Sequence, residues 1–324
     1  MRRRAFVVGI AGSAAAWPRW AWAQQAIPLV GYLSASSAGD NERLNAFRTG
    51  LEEQGFAQGR NVVVEYGHAE GDYGRLAAMA VDFAKRPVTV LMASALPSAL
   101  AAQKATAKIP IVFVSGADPV QLGLVKSLAR PEGNATGVSN YFGHLGGKRL
   151  ELLRELVPRP PLVAYLLNPK NQNAEAHSAE VKQAANALSQ RIEVLNASSR
   201  DEIEAAFQIT AQQKATALLI GDDPFFSTQS DLIIGLAARH ALPTMHYRTD
   251  YVAAGGLISY GSSQAETYRQ AGLYTGRILK GEKPSDLPVV QPTKFELAIN
   301  LKTAAALGLA VPLILQQRAD KLIE

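Results

Sequence analysis

The side chains able to do chemistry in this 324-residue chain gather directly after short apolar runs. They form five loops: Ser34-Ala35-Ser36-Ser37, Ser94-Ala95-Leu96-Pro97-Ser98, Ser115-Gly116-Ala117-Asp118-Pro119, Asn168-Pro169-Lys170-Asn171-Gln172-Asn173 and Gly221-Asp222-Asp223-Pro224-Phe225-Phe226. Hydroxyls, amides, a few carboxylates and aromatic rings dominate them. Such groups hydrogen-bond a small polar solute from several directions while rings cover its apolar part. Each residue taken singly also suits a helix N-cap or a turn, so the set points to a ligand cleft more strongly than any member does. Patterns for catalysis are missing. There is no G-x-x-x-x-G-K loop, no G-x-G-x-x-G fingerprint and no G-x-S-x-G elbow. The five histidines, at 68, 144, 177, 240 and 246, show no metal-ligand spacing, and the absence of cysteine removes thiolate sites and disulfides together. Asp222 and Asp223 are adjacent in an extended segment and point in opposite directions, which fits a turn and a helix cap better than a paired acid and base. No cofactor is expected, and a hydrolase using the cleft is left as an alternative that would need residues distant in sequence.

Elements must position these loops. Residues 29–33, 62–66, 88–93 and 111–114 read as strands, and all but the second are apolar on both faces, as central strands of a parallel sheet are. Between them Leu44, Phe47 and Leu51 repeat at helical spacing with Gly55 as a stop, and Leu76, Met79, Ala80 and Phe83 do the same. The alternation begins again after Gly137-Val138-Ser139-Asn140. Helices are expected over 148–157, 174–188, 201–212, 231–240 and 263–279, and strands over 162–167, 192–195, 216–220, 243–247, 257–260 and 294–299. Alternating strand and helix demands right-handed crossovers, so the fold class is α/β with two doubly wound parallel-sheet lobes. Ligands of such sheets sit beyond the carboxyl ends of the strands, where these loops lie.

The amino-terminal stretch reads as an export signal. Arg2-Arg3-Arg4 leads into an apolar run that ends at Ala21-Trp22-Ala23, and cleavage is expected after Ala23 by either the general or the twin-arginine route. Arg2, Arg3, Arg4 and Arg19 leave with it, taking the formal net charge from +5 to +1. A near-neutral mature chain without a basic run gives no support for nucleic-acid binding. A periplasmic location follows from that signal, and all three tryptophans go with it.

Several strings in register resemble the substrate-binding proteins of ABC importers, a family often described as tryptophan or tyrosine transport components. They include residues 110–114 (PIVFV), Asp118-Pro119-Val120, residues 133–139 (GNATGVS), residues 148–158 (KRLELLRELVP), Asp223-Pro224-Phe225-Phe226, Tyr260-Gly261 and residues 291–302 (QPTKFELAINLK). The resemblance covers essentially the whole mature chain. It implies a type I periplasmic binding fold, two lobes joined by three crossovers near Ser139-Asn140, Ser262-Ser263 and Leu287–Val290. Lobe one would comprise 27–139 and 263–286, and lobe two 140–262 and 287–324. Within that resemblance Ser34, Ser36 and Ser94 would hold a carboxylate with nearby helix N-termini, and Asp118 would receive an ammonium group. Asn140, Asn168 and Asn173 would close from the second lobe, with Asp223 in the same loop set, while Phe225, Tyr247 or Tyr260 would stack on a flat solute. The implied partners are an amino acid or aromatic-acid-like solute and a permease with its ATPase, the protein acting as a monomer. A periplasmic sensor presenting its solute to a receptor is the alternative. A transcription regulator of the same fold would carry a helix-turn-helix before residue 30, where the export signal stands.

Overall fold

The computed structural model describes residues 27–140, 145–157 and 160–324, and the expected export signal with its cleavage after Ala23 lies outside them. The first sheet contains β1 (Leu29–Ser34), β2 (Val63–His68), β3 (Val90–Ser94), β4 (Ile111–Ser115) and β5 (Ala135–Ser139), with α1 (Asn41–Glu53), α2 (Tyr73–Lys85) and α3 (Leu96–Ala105) between them. Its strands run parallel in the order β2-β1-β3-β4-β5. The chain continues through α4 (Leu145–Leu156), β6 (Val163–Leu167), α5 (Ala174–Ala187), β7 (Ile192–Asn196), α6 (Arg200–Gln212) and β8 (Ala217–Ile220). Next come α7 (Pro224–Thr228), α8 (Ser230–Arg239), β9 (Thr244–His246), α9 (Thr249–Ala253), β10 (Ile258–Ser262) and α10 (Gln264–Leu279). The chain finishes with β11 (Phe295–Asn300), α11 (Leu301–Ala306), α12 (Leu313–Arg318) and β12 (Lys321–Ile323). These build a second sheet in the order β12-β11-β10-β9-β8-β6-β7, parallel except where β11 meets β10.

Period-two patterning decides which side chains share a core. On β3, Leu91 and Ala93 join Leu33, Phe83 and Phe113 on one face, while Val90 and Met92 join Val30, Tyr32 and Val112 on the other. On β6, Ala164 and Leu166 face one core of the second sheet, and Val163, Tyr165 and Leu167 the other. Strands covered on both faces carry no polar alternation, which is why their runs are uniformly apolar. Each fully buried Leu or Phe contributes about 1.5–3 kcal/mol. Helix starts follow side-chain capping: Asp72 accepts the N–H groups of Gly74 and Arg75, Ser199 that of Glu202, and Ser263 that of Glu266.

Helix α10 follows β10 of the second sheet but packs on the first. Its Tyr268, Ala271 and Tyr274 share a core with Phe47 and Leu51 of α1. The two helices cross backbone to backbone: a Cβ on Gly50 would lie 2.0 Å from the Arg269 carbonyl oxygen, and one on Gly272 would lie 2.1 Å from that of Phe47. No larger residue fits at either position.

Besides the short α7, α9, α11, α12 and β12, for which no element was expected, three segments differ from expectation. Helix α3 was expected as loop, because it begins only two residues after β3 and its first residues are Leu96-Pro97-Ser98. β5 was not expected as a strand, since Gly137 interrupts it and Val138 is its one large apolar residue. Residues 287–290, expected in the second lobe, pack on the first sheet instead. Leu287 and Val289 are buried in its two cores, Val138 pairs with Val290, and the Leu287 carbonyl accepts from the Thr136 hydroxyl at 2.6 Å. Among the described residues no helix is long and apolar enough to cross a membrane.

Candidate functional site

Both sheets reverse their strand order next to a central strand, between β1 and β3 in one and between β6 and β8 in the other. Such switch points leave a crevice at the carboxyl ends of the strands. Here the two crevices face each other across one cleft that encloses about 660 Å³, part of it open to solvent. From the first lobe come Arg43 of α1, Ala95 to Pro97 ahead of and within α3, Gly116 after β4, and Gln264 and Tyr268 of α10. The second lobe supplies Arg149 of α4, Asn171, Asn173 and His177 around the start of α5, Asp222 after β8, and Tyr247 after β9. Asn140 stands between them. Ala95 has φ +74 and ψ 161, a positive-φ extended conformation used almost only by glycine that costs about 1–3 kcal/mol, and it turns the chain so that α3 begins at the cleft.

Two arginines of the cleft differ in their pairing. Arg43 is buried, with Nε donating to Gln264 Oε1 at 2.9 Å, Nη1 in an ion pair with Asp40 at 3.2 Å, and its guanidinium 5.1 Å from the centre of the Tyr268 ring. Burial and Arg248 work against its charge, but Tyr268, Asp40 and Tyr247 keep its pKa above the ordinary arginine value. Arg149 is equally buried, at 6% exposure, and Nε donates to the Tyr260 carbonyl at 2.8 Å. Its guanidinium lies 5.7 Å from the centre of the Tyr247 ring, and it has no ion-pair partner among the described residues. Asp222, half-buried on the same cleft, likewise has no hydrogen-bond or ion-pair partner among them. An unpaired cation and an unpaired carboxylate therefore share one aromatic-lined cleft.

The residues expected from sequence divide by where their side chains point. Asn140, Asn173 and Tyr247 line the cleft. Tyr247 also shares a 2.6 Å hydrogen bond with the Ser227 hydroxyl, and burial pushes its own hydroxyl up, so it stays protonated. Ser34, Ser36 and Ser94 do not reach the cleft as expected. Ser34 accepts the Ser36 N–H in a tight turn, Ser36 accepts Arg43 Nη1, and Ser94 shares a 2.7 Å hydrogen bond with the Tyr268 hydroxyl. Ser36 and Ser94 thus position Arg43 and Tyr268 from behind. Asp118 is a cap: its Oδ1 accepts the N–H groups of Val120 and Gln121.

Asp223 has no acceptor capacity left for a solute. Oδ1 accepts from Asn168 at 3.0 Å and from the Phe225 N–H at 2.8 Å, while Oδ2 accepts from Asn171 at 2.6 Å and Tyr73 at 2.7 Å. Burial raises its pKa, and those four donors work the other way. Asn168 is consumed in the same network. Phe225 packs in the core beside Phe226, with ring centres 5.6 Å apart, and Tyr260 stacks on Phe295, with only its carbonyl serving the site through Arg149.

Residues outside the expected site set supply most of the polar lining: Arg43, Arg149, His177, Gln264 and Tyr268, together with Asn171 and Asp222, which stand in two of the five loops but were given no contact with the solute. A signal existed for the arginines. Arg43 stands four residues before Phe47 and Arg149 four before Leu153, the spacing that shares a buried helix face, where a charge is anomalous unless it has a task.

A family model described as ABC transporter substrate binding protein matches residues 35–323. The chain is 27% identical over 263 residues to a tyrosine-binding protein of Clostridioides difficile (strain R20291), covering 81% of this chain and 75% of that protein. A conserved domain protein from Vibrio cholerae O1 superposes with a TM-score of 0.83 at 27% identity, over 92% of this chain and all of that one. An ABC domain from Streptococcus pneumoniae, solved in complex with L-Trp, gives the same TM-score at 25% identity and the same coverage. With the type I periplasmic binding architecture of two parallel-sheet lobes facing across one cleft, the chain belongs to the ABC transporter substrate-binding protein family.

Proposed function

We propose that the cleft captures a free α-amino acid and presents it, unaltered, to the permease of an ABC importer. The observation that carries this reading is the pair of unpaired opposite charges, Arg149 and Asp222, in a cleft lined with tyrosines. Arg149, aided by the amino end of α3, takes the carboxylate. Asp222 takes the ammonium group. Tyr247, Tyr268, Leu96 and Pro97 cover the side chain, and Asn140, Asn171 and Asn173 add hydrogen bonds from the second lobe's side. That two relatives carry tyrosine and L-Trp in their names supports an aromatic solute.

The lobes in this reading are residues 27–139 with 263–290, and 140–262 with 291–324. They hinge about the three crossings, and a solute touching both favours the shut form. The protein works as a monomer in the periplasm after loss of its signal at Ala23. Calorimetry against the twenty amino acids, with tyramine and 4-hydroxyphenylpropionate as analogues lacking one charge, tests it. Binding of an amino acid that is lost with either analogue supports the assignment. Equal binding of a charge-deleted analogue, or turnover of the solute, overturns it.

A further inference from the structure

We propose that Asp40 and Arg248 form a latch that favours the shut cleft and is tied to the solute seat through Arg43; this rests on the reading of two lobes that hinge. Arg248, in the loop between β9 and α9 of the second lobe, is 4% exposed. It reaches Asp40, in the loop between β1 and α1 of the first lobe, by a two-point bond: Nη1 to Oδ2 at 2.8 Å and Nη2 to Oδ1 at 3.0 Å. A planar guanidinium facing a carboxylate in this way is the strongest polar contact two side chains make.

The latch has a second partner on each side. Arg248 also binds Asp250 in the first turn of α9 of its own lobe, with Nε donating to Oδ1 at 2.8 Å, and its N–H donates to His246 Nδ1. Asp40 also pairs with Arg43, which lines the cleft. Two cations and two carboxylates make the cluster neutral. When the lobes part, Arg248 keeps Asp250 and Asp40 keeps Arg43, so neither lobe exposes an uncompensated buried charge. The contact is therefore able to break and remake. Another interlobe bond, Tyr73 to Asp223, follows the same plan, for Asp223 also binds cleft-lining Asn171. Both of these contacts end on a carboxylate whose neighbour touches the solute space, so seating a solute against Arg43 or Asn171 steadies them.

The chain has no cysteine, so spin labels on cysteines introduced at exposed Lys104 and Lys182, one per lobe, report a single distance. The full chain is refolded from guanidinium to strip co-purified solute and measured with none added. The labelled parent shows a short-distance population. Asp40→Asn lowers the ratio of short to long distances at least about tenfold, the worth of a charge-assisted contact whose arginine keeps a second carboxylate. Asp250→Asn, which leaves the bond between lobes intact, shifts it by less than about threefold. Asp40→Glu and Arg248→Lys keep the charges but not the two-point geometry, and lower the ratio in the same direction, carrying the test if circular dichroism shows Asp40→Asn unfolded. The latch is refuted if the folded variants keep the parent's ratio, if Asp250→Asn opens the cleft as far as Asp40→Asn, or if the parent has no short population. No solute enters the measurement, so an amino-acid panel without binders leaves this test standing, and its failure leaves the amino-acid reading standing.

Discussion

Acid should weaken this protein through buried histidine, His246 above all, well before its ion pairs break. His246 is fully buried, with its ring stacked 4.6 Å from that of Tyr247 and 4.4 Å from that of Tyr251. Nδ1 accepts the Arg248 N–H, which places the proton on Nε2, and Nε2 has no hydrogen-bond partner among the described residues. A second proton would have to displace the Arg248 N–H. Burial pushes the His246 pKa down from its ordinary 6.5 to about 3, with Asp250 opposing and Arg248 and Arg149 reinforcing the shift. The unfolded chain thus binds a proton below about pH 6.5 that the folded chain refuses until about pH 3, and stability falls as pH falls through that window. At about 1.4 kcal/mol per pH unit, moving from pH 7 to pH 4.5 removes about 2.5 kcal/mol. Asp250, held at about 2 by Arg248 despite its burial, adds its loss only below its ordinary 3.8. The assay is urea unfolding at pH 7, 5.5 and 4.5 of the wild type and His246→Phe. The variant starts lower by about 1–3 kcal/mol, since the Arg248 N–H loses its acceptor, but its stability declines less on acidification. His68, whose pKa burial also lowers, contributes equally to both proteins and cancels in the comparison. Equal losses in the two proteins between pH 7 and pH 4.5 would refute the reasoning.

Asp222→Asn should weaken amino-acid binding about thirtyfold by calorimetry, the worth of a charged hydrogen bond, while leaving the urea midpoint unchanged because Asp222 supports nothing else. Tyr73→Phe removes the bond to Asp223 Oδ2, which keeps Asn171, and should reduce affinity about tenfold with no new side-chain preference. Gly272→Ala sets a methyl group against the Phe47 carbonyl and should cost about 3 kcal/mol or more, read as a lower urea midpoint.

Reading the sequence located the site better than it named the site's residues. The strands were legible because β3 and β4 are buried throughout and the first four residues of each are apolar, and their carboxyl ends do frame the cleft. The polar residues straight after them serve mainly in turns and supports. Ser34 and Asp118 bind nearby main chain, and Asp223 anchors three side chains and the Phe225 N–H. About half of the polar groups that reach the cleft come from helices, among them Arg43 and Arg149, and not from the loops after the strands. Adjacent Asp222 and Asp223 do point in different directions, and the one that faces the cleft is the residue without a capping role. Periodicity identified α10 as a helix but could not say which sheet it covers. That depends on Gly50 and Gly272, two residues with no periodic signature.

The crossing of α1 and α10 also bears on when this chain can fold. Its sides are far apart in sequence, as the Arg269 to Glu53 ion pair spanning 216 positions shows. A ribosome delivers the amino end first, so the sheet face that α10 covers stays bare until almost all the polypeptide has emerged. The other lobe waits as long, because β11 and β12 complete its sheet. Neither half can mature early as an independent unit, and a nascent chain cut short before residue 264 would offer holding chaperones a wide apolar surface.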